Sequence, residues 1–314
     1  MLKRVVARAP ASSANLGGGF DIMAVALEGF YDQVEVERTE GAEIEIVMKG
    51  KSEGIPSDFR KNAAGAVAFS ILKKFNIDSG LRITVKKGVP VGVGLGSSGA
   101  SSAATALAMN RLFELGLEKG GLVVYASQGE LTVSGAAHRD NVAASLLGGF
   151  VLLDTKSETV FSWKRFPSSL KVCIAIPSLK LAERKTEYSR SVLPKTVSLD
   201  DMVDATAASA LVAAGIVAGD IEIVGKGMMN SIVDMARSKI VQGFKDVRDA
   251  AVEEGANGVC LSGAGPSIIA LVNERRGNAE KVVNAMVEAF KKRGIEAGGL
   301  VTKIGRGAKV VFAE

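Results

Sequence analysis

A glycine-rich stretch at residues 90–102, with the sequence PVGVGLGSSGASS, constrains this chain more than any other segment. Glycines alternate with other residues up to Gly96, two serines follow, and the next residues have strong helix propensity. This order predicts a flexible loop that leads into a helix N-terminus. The first N–H groups of a helix have no intrahelical partner and carry the positive end of its dipole. We therefore interpret residues 90–100 as a phosphate loop, in which Ser97 or Ser98 caps the helix or faces a metal ion.

Two common phosphate motifs fit this loop poorly. Gly94, Gly96 and Gly99 have the GxGxxG spacing of dinucleotide-binding folds, but the preceding residues 81–86 alternate in polarity and predict a strand with one solvated face. A dinucleotide fold needs a wholly apolar strand there. The Gly-Lys-Ser sequence at 50–52 lacks the glycine that a P-loop has five residues earlier. A glycine-rich turn without a ligand is the alternative, and we favour it less because so many glycines cost backbone entropy.

The composition predicts a protein with a substantial apolar core. Hydrophobic residues make up 47% of the 314 residues, and a chain of this length suits one large domain or two, of which we favour two. We expect no apolar run of transmembrane length, and the first residues lack the apolar region of a signal peptide. The sequence therefore predicts a cytoplasmic protein without membrane contact.

The charge pattern argues against a nucleic-acid partner. The net charge is +5, but the lysines and arginines are scattered and interleaved with acidic residues. Anionic small substrates explain the excess equally well. Cys173 and Cys260 lie in apolar surroundings and predict buried free thiols, and with His138 as the one histidine the sequence offers no Cys/His metal cluster.

Hydrophobic periodicity predicts alternating strands and helices. In the first half, the predicted strands are 4–9, 31–37, 42–48, 81–86 and 150–154, with 31–37 and 42–48 in one antiparallel sheet, and the predicted helices are 62–75, 106–117 and 121–130. In the second half, the strands are 170–176, 258–261 and 267–272, and the helices are 200–217 and 279–293. This interleaving indicates an α+β sandwich of the split βαβ kind.

Two further glycine-rich loops accompany the phosphate loop. Residues 10–21, PASSANLGGGFD, place Asn15 and Asp21 on either side of three glycines, where they are turn formers or groups that hold an amine or a hydroxyl. Residues 262–267, SGAGPS, form the third loop, for which a plain hairpin is the alternative. Three such loops in one chain favour a polyanionic ligand.

Several polar residues outside the loops are candidate site residues. His138, Asp140 and Asn141 form a dense cluster among small residues. A core histidine and a helix-capping aspartate are the alternative, but three such groups together favour a site. Arg190 and Arg237 carry guanidinium groups suited to carboxylate or phosphate, with a solvated surface arginine as the alternative.

The three loops, in this order and at these separations, resemble the three motifs of the GHMP kinases, the superfamily of galactokinase, homoserine kinase and mevalonate kinase. Residues 10–21, residues 134–143 and the pattern Thr186-x-x-x-Arg190-x-Val-Leu-Pro194 resemble the homoserine kinase branch specifically. The similarity covers the whole chain. Gly18 stands where that branch usually has proline, so we expect a looser loop there.

The resemblance implies a two-domain α+β architecture. Residues 1–160 would form an N-terminal ATP-binding α/β domain of ribosomal-protein-like fold. Residues 161–314 would form a C-terminal domain of ferredoxin-like split βαβ fold.

The resemblance also implies transfer of the γ-phosphoryl group of ATP, with Mg²⁺, to the side-chain hydroxyl of L-homoserine, which gives O-phospho-L-homoserine for threonine biosynthesis. Asn62 would lie near the nucleotide base, and Ser98 and Glu130 around the metal. The triphosphate would contact Pro90, Val91, Gly92, Val93, Gly94, Leu95, Gly96, Ser97, Ser98, Gly99 and Ala100. The amino acid would contact Asn15, Asp21, His138, Asp140, Thr186, Arg190, Arg237 and Gly263. The residues implied in catalysis are Asn141, Asp140, Glu130 and Arg190.

The residue at position 141 decides whether the resemblance supplies a general base. Several superfamily members have an aspartate where this chain has Asn141, which cannot take a proton. Because loose phosphoryl transfer depends chiefly on positioning and charge neutralisation, a dedicated base is unnecessary. We hypothesise that Asn141 orients the hydroxyl and that Asp140 is mainly a substrate contact.

Two alternative functions remain open from the sequence. One is a kinase of the same fold for another small hydroxylated metabolite, such as mevalonate or shikimate. The other is a basic RNA-binding protein of related fold, which predicts clustered Lys and Arg that the sequence lacks. We expect a homodimer, the commonest assembly.

Overall fold

The computed structural model describes residues 2–135, 138–179 and 185–314, without the side chains of residues 134 and 185–187. The strands are β1 (Arg4–Asn15), β2 (Gly19–Thr39), β3 (Ile44–Gly50), β4 (Gly80–Lys87), β5 (Phe150–Leu153), β6 (Val160–Trp163), β7 (Leu170–Pro177), β8 (Gly258–Leu261), β9 (Ile268–Asn273), β10 (Ala297–Thr302) and β11 (Lys309–Ala313). The helices are α1 (Ala63–Lys74), α2 (Ser97–Leu112), α3 (Lys119–Ser134), α4 (Arg139–Leu147), α5 (Lys185–Ser191), α6 (Leu199–Ala218), α7 (Ile221–Met229), α8 (Ile232–Arg237), α9 (Phe244–Glu253) and α10 (Ala279–Lys291).

The larger sheet has seven strands, in the order β11-β1-β2-β4-β3, with β5 paired to β2 and β6 paired to β5. Its strands alternate as predicted. In β4, Leu81, Ile83 and Val85 are buried and Arg82 is exposed. The buried side chains pack with α1 to α4 into one core.

The pairing of β3 corrects one expectation. Residues 42–48 were expected in an antiparallel sheet with 31–37, but β3 pairs with β4, and the two strands are parallel. Helix α1 lies between them in the chain, and a crossover of this kind is what two adjacent parallel strands require. Strands β3 and β4 with α1 therefore form a βαβ unit.

The smaller sheet is antiparallel, with the order β10-β7-β9-β8. In chain order its elements run strand, helices, strand, strand, helix, strand, which is the predicted split βαβ arrangement. One face packs against α9 and α10. The other packs with α6, α7 and part of the larger sheet into a core that includes Phe150, Ile174 and Val212.

The predicted α+β class is thus confirmed. The division at residues 160 and 161 stays a prediction, although β6 and the final strand β11 both join the larger sheet. Cys173 and Cys260 are buried free thiols, as predicted.

Several element boundaries differ from those predicted. Strand β1 continues to Asn15 and β2 begins at Gly19, so the expected long loop at 10–21 is largely strand. We call residues 10–21 the N-terminal hairpin. Helix α2 begins at Ser97, where the glycine-rich loop was expected to lead into a helix, and it ends at Leu112, before the end of the helical run expected at 106–117.

Helix α6 corrects the expectation about apolar runs. By length and composition it meets the test for a membrane-crossing helix, the one such helix in the described part of the chain. It begins with a capping box between Ser198 and Asp201, and its Ala208 lies against Gly18. Long apolar helices of soluble proteins meet the same test, so this is weak evidence for a membrane.

Candidate active site

The three glycine-rich loops meet in the structure and are hydrogen-bonded to one another. Ser262 Oγ donates to the carbonyl oxygen of Gly94 at 2.8 Å. The Gly263 amide donates to the carbonyl oxygen of Ala14 at 3.2 Å, and the Ser12 amide to that of Leu95 at 3.1 Å. The predicted phosphate loop thus contacts both other loops.

Glycine is required where these loops touch. Gly94 and Gly96 both have positive φ, +87° and +64°, a region that other residues rarely adopt. A Cβ on Gly94 would lie 2.2 Å from the carbonyl oxygen of Ser262. A Cβ on Gly96 would lie 2.1 Å from Ser12 Oγ and 2.8 Å from Asn141 Oδ1. A side chain at either position would push the loops apart.

The N-terminus of α2 has no side-chain cap within the described residues. Its N-cap residue is Gly96, and the first helical hydrogen bond runs from the Ala100 amide to the Gly96 carbonyl at 2.9 Å. Ser97 Oγ donates instead to the Val89 carbonyl at 3.0 Å, and Ser98 is hydrogen-bonded to Glu130. The amides of residues 97–99 therefore have no intrahelical acceptor, which suits an anionic ligand.

A cavity of about 500 Å³ lies beside this helix N-terminus. The predicted site residues that line it are Asn15, Asp21, Asn62, Val91, Gly92, Gly94, Leu95, Gly96, Ser97, Ser98, Glu130, His138, Asp140, Asn141, Arg190, Arg237 and Gly263. Pro90, Val93, Gly99 and Ala100 are not among the lining residues. Thr186 lies in α5, and its side chain is outside the described residues. Most residues predicted for the site thus surround one cavity.

One part of the cavity carries a cluster of opposite charges. Arg190 Nη2 donates to Asp21 Oδ2 at 2.7 Å and lies 3.1 Å from His138 Nδ1. Burial raises the pKa of Asp21, but hydrogen bonds from His138 and Arg190 outweigh it and hold that pKa below its usual value. The hydrogen bond to Asp21 in turn raises the pKa of His138. Asp21 is therefore a carboxylate held by the Arg190 guanidinium and the His138 imidazole.

The N-terminal hairpin holds Asp21 by hydrogen bonds and contains three residues other than glycine with positive φ. Asn15 and Asp21 have φ of +77° and +60°, and the hairpin residue Leu16 has φ of +45°. Asn15 Oδ1 accepts from the Asp21 amide at 3.1 Å, and Asn15 Nδ2 donates to the Gly263 carbonyl at 3.0 Å. Positive φ costs energy at residues other than glycine and persists where the surroundings impose it, often at functional sites.

A second arginine is buried beside the first. Arg237 Nη1 donates to the Gly263 carbonyl at 3.0 Å, and its Nε donates to the Ser189 carbonyl at 3.2 Å. The guanidinium carbons of Arg190 and Arg237 lie 5.6 and 5.4 Å from the centre of the Phe20 ring. The Phe20 ring therefore packs against both guanidinium groups at one end of the cavity, at distances within the range of cation–π interactions.

Two buried carboxyl groups line the cavity. Burial raises the pKa of Asp140 to about 6, against the opposing hydrogen bond from the Asn141 amide. Burial also raises the pKa of Glu130, while the hydrogen bond from Ser98 lowers it. The Ser98 hydroxyl and the Glu130 carboxylate are hard oxygen donors of the type that Mg²⁺ prefers. The described residues contain no group of three or more His, Cys, Asp or Glu side chains that could hold a metal ion alone.

Asn141 lies between the acidic cluster and the phosphate loop. Its Oδ1 accepts from Ser12 Oγ at 2.9 Å, close to Gly96. Its Nδ2 is 3.4 Å from Asp140 Oδ1. The amide side chain is thus anchored on the side of the cavity that the phosphate loop forms.

Asn62 has a structural role that the sequence did not predict. Its Oδ1 caps α1 by accepting from the Ala64 amide at 3.0 Å. Its Nδ2 donates to the Pro56 carbonyl at 2.8 Å and contacts Met48 Sδ at 3.4 Å. Asn62 therefore holds together the wall of the cavity formed by residues 48–63.

Sequence reasoning missed two charged residues beneath the phosphate loop. Asp32 and Lys87 form a buried ion pair, and Lys87 lines the cavity. The signal that identifies them is the strand alternation. Asp32 lies on the same buried face of β2 as Val34, and Lys87 lies on the same buried face of β4 as Val85. A charged residue at an inward strand position predicts a buried partner.

Comparisons with known proteins agree with this geometry. Residues 62–149 match the family model of the GHMP kinases N terminal domain, and residues 208–292 match that of the GHMP kinases C terminal domain. The chain is 40% identical over 304 residues to homoserine kinase of Thermoplasma volcanium, covering 96% of this chain and 95% of the relative. It is 41% identical over 307 residues to homoserine kinase of Halorubrum lacusprofundi, covering 98% and 99%.

Solved structures give the same result. The crystal structure of homoserine kinase from Cytophaga hutchinsonii superposes with a TM-score of 0.91 at 32% identity and covers 98% of each chain. Lactococcus lactis galactokinase, at a TM-score of 0.72 and 14% identity over 98% of this chain and 95% of its own, shares the fold. The chain belongs to the homoserine kinase family of the GHMP kinases.

Proposed function

We propose that this protein is an ATP:L-homoserine phosphotransferase that acts in threonine biosynthesis. The homoserine hydroxyl oxygen forms a bond to the γ-phosphorus of ATP, the bond from that phosphorus to the bridging oxygen breaks, ADP leaves with the electron pair, and the hydroxyl proton is released. One observation carries the proposal: an uncapped helix N-terminus shares a cavity with a carboxylate held by arginine and histidine.

The phosphate loop is the proposed triphosphate site. Backbone amides at the start of α2 would bind phosphate oxygens, and Ser98 and Glu130 would hold Mg²⁺. When bound, Mg²⁺ neutralises phosphate charge and favours the developing leaving group. The wall that Asn62 organises is the proposed site of the nucleotide base, because it lines the same cavity.

The ion pair of Asp21 and Arg190 is the proposed site of the amino acid. An amino acid is a zwitterion, so its ammonium can pair with Asp21 while its carboxylate pairs with Arg190 and the neighbouring Arg237. Each charge of the existing pair would thereby gain a substrate partner. His138, Asn15, Thr186 and Gly263 complete the proposed contacts.

We assign the hydroxyl contact to Asn141 and a binding role to Asp140. Asn141 has no proton-accepting group of suitable basicity, but it lies beside Gly96 at the helix N-terminus. Positioning there is the main requirement of loose phosphoryl transfer. Asp140 would contribute negative charge near the ammonium, together with Asp21.

Product identification tests the proposed function. The protein, MgATP and L-homoserine are incubated, and the products are followed by ³¹P NMR, with mevalonate and shikimate as competing acceptors and Glu130→Gln as the matched inactive control. We expect a phosphomonoester on the homoserine hydroxyl, formed far faster than any product from the other alcohols. Faster phosphorylation of mevalonate or shikimate would overturn the substrate assignment.

We also propose a cytoplasmic homodimer without a membrane or nucleic-acid partner. Helix α6 supports self-association because it exposes apolar side chains at helical spacing: Leu199 is 70%, Val203 57% and Val217 46% exposed. Sedimentation velocity should show a dimer that Val203→Asp dissociates. Sedimentation of the unaltered protein as a monomer, or its flotation with lipid vesicles, would contradict this proposal.

A further inference from the structure

A buried ion pair lies directly beneath the phosphate loop. Asp32 in β2 is fully buried, Lys87 at the end of β4 is 5% exposed, and Lys87 Nζ donates to the Asp32 carboxylate. Ser101 in α2 joins the pair: it accepts from Lys87 Nζ at 2.9 Å and donates to Asp32 Oδ2 at 2.6 Å. We call Asp32, Lys87 and Ser101 the Asp32 clamp.

The clamp holds the strand side of the phosphate loop. Asp32 Oδ1 accepts from the backbone amides of Gly88 and Val89, each at 3.0 Å. These two residues immediately precede the loop. A carboxylate that accepts two backbone amides fixes the direction in which the chain leaves β4.

The clamp also holds the helix side of the loop. Lys87 Nζ donates to the carbonyl oxygen of Ser97 at 2.8 Å, in the first turn of α2. Asp32 reaches the same helix through the hydroxyl of Ser101. One buried carboxylate is therefore linked to the chain both before and after the loop.

A gain in folding stability does not by itself explain why these charged side chains are buried. Removing two charges from water costs several kcal/mol per ion by general estimate, and replacing a buried pair by apolar residues often leaves a protein equally stable or more so. Burial accordingly lowers the pKa of Lys87, opposed by Asp32 and Glu130. The location of the pair under the loop, with Lys87 lining the cavity, indicates a role in ligand binding.

We propose that Asp32 is a positioning residue for phosphate binding: through Lys87 and Ser101 it holds both ends of the phosphate loop in the binding conformation before a nucleotide arrives. This inference rests on the proposed function, since it takes the loop to be the phosphate site. A preformed loop reduces the ordering cost of binding, and the benefit applies only to ligands that carry phosphate.

The least disruptive variant that tests this proposal is Ser101→Ala, with Ser102→Ala as its matched control. Ser101 bridges the pair, whereas the buried hydroxyl of Ser102, the next residue of the same helix, has no hydrogen-bond partner among the described residues. Binding of ADP with Mg²⁺ and of adenosine is measured by calorimetry. Ser101→Ala removes the hydrogen bonds of this hydroxyl to both Lys87 and Asp32, and we expect the Kd of ADP to rise about tenfold because part of their free energy is transmitted to the loop. The Kd of adenosine should be unchanged, and Ser102→Ala should bind both as the original protein does.

Asp32→Asn should weaken ADP binding more than Ser101→Ala does. Without ligand, hydrogen exchange of the amides of residues 91–98 should accelerate, while that of β8 and β9 should not. Asp32→Asn/Lys87→Met removes both charges and should restore thermal stability without restoring ADP affinity. If the role of Asp32 were merely structural, the double variant would regain ADP affinity together with thermal stability.

Unchanged ADP binding in Ser101→Ala, or equal weakening of ADP and adenosine binding, would overturn the inference even if Asp32→Asn fails to fold. Failure of the original protein to bind ADP would overturn the proposed function as well.

Discussion

Replacing Asp140 by asparagine should stabilise the fold and weaken substrate binding at the same time. Burial raises the pKa of Asp140 to about 6, whereas an unfolded aspartate has a pKa of about 3.9. The folded state therefore binds more protons than the unfolded state between these values. The contribution of Asp140 to stability is greatest below about pH 4 and is lost as the pH rises through about 6.

The size of this effect follows from the shift. Two pKa units at about 1.4 kcal/mol each give about 3 kcal/mol as an upper value. Relative to the original protein, Asp140→Asn should thus gain up to about 3 kcal/mol of unfolding free energy between pH 4 and pH 8. Asp234, whose pKa burial raises to about 7, is present in both proteins and cancels in the comparison.

Guanidinium unfolding at pH 4, 6 and 8 measures the difference, with Asp78→Asn at an exposed position as the control. A difference that does not change with pH would refute the argument that Asp140 is desolvated in the fold. Kinetics of the same variant test its role: KM for homoserine should rise at least tenfold, with kcat reduced less than about tenfold. If kcat falls by several orders of magnitude while substrate binding is intact, Asp140 is a general base.

Three other predictions follow from contacts in the site. Gly96→Ala should abolish activity while leaving a folded protein, because its Cβ would overlap Ser12 Oγ; circular dichroism and a kinase assay check this. Arg237→Lys should raise KM for homoserine more than KM for ATP, since lysine cannot maintain both the Gly263 contact and a bidentate carboxylate bond. Cys173 and Cys260 should resist a thiol reagent until guanidinium unfolds the chain, because both are buried and burial raises the pKa of Cys173 to about 12; rapid labelling of the folded protein would contradict this.

Strand alternation and loop chemistry made much of the fold predictable. The alternation of Leu81, Ile83 and Val85 located β4, and the glycines that follow located the start of α2 within a few residues. The parallel pairing of β3 was not predictable from its own residues, since alternation reports which face is buried and not which neighbour is bonded. It depends on α1 acting as a crossover.

The candidate site was predictable where unusual residues cluster. His138, Asp140 and Asn141 stood out because they lie close together in a stretch that otherwise consists largely of small residues. Asp32 and Lys87 did not stand out because they are 55 residues apart, and only the pairing of β2 with β4 brings them together. The contacts of the Asn62 Nδ2 group were equally hidden, because they reach Met48 in β3 and Pro56 in the loop before α1.

We propose that amides at the start of α2 bind the phosphates while Asn141 and the charged cluster present the acceptor hydroxyl. A crystal structure with a non-hydrolysable ATP analogue, Mg²⁺ and L-homoserine tests it most directly. We expect phosphate oxygens at hydrogen-bond distance from the amides of residues 97–99, Mg²⁺ beside Ser98 and Glu130, and the homoserine hydroxyl next to Asn141. Nucleotide bound elsewhere, or homoserine bound away from Asp21 and Arg190, would contradict it.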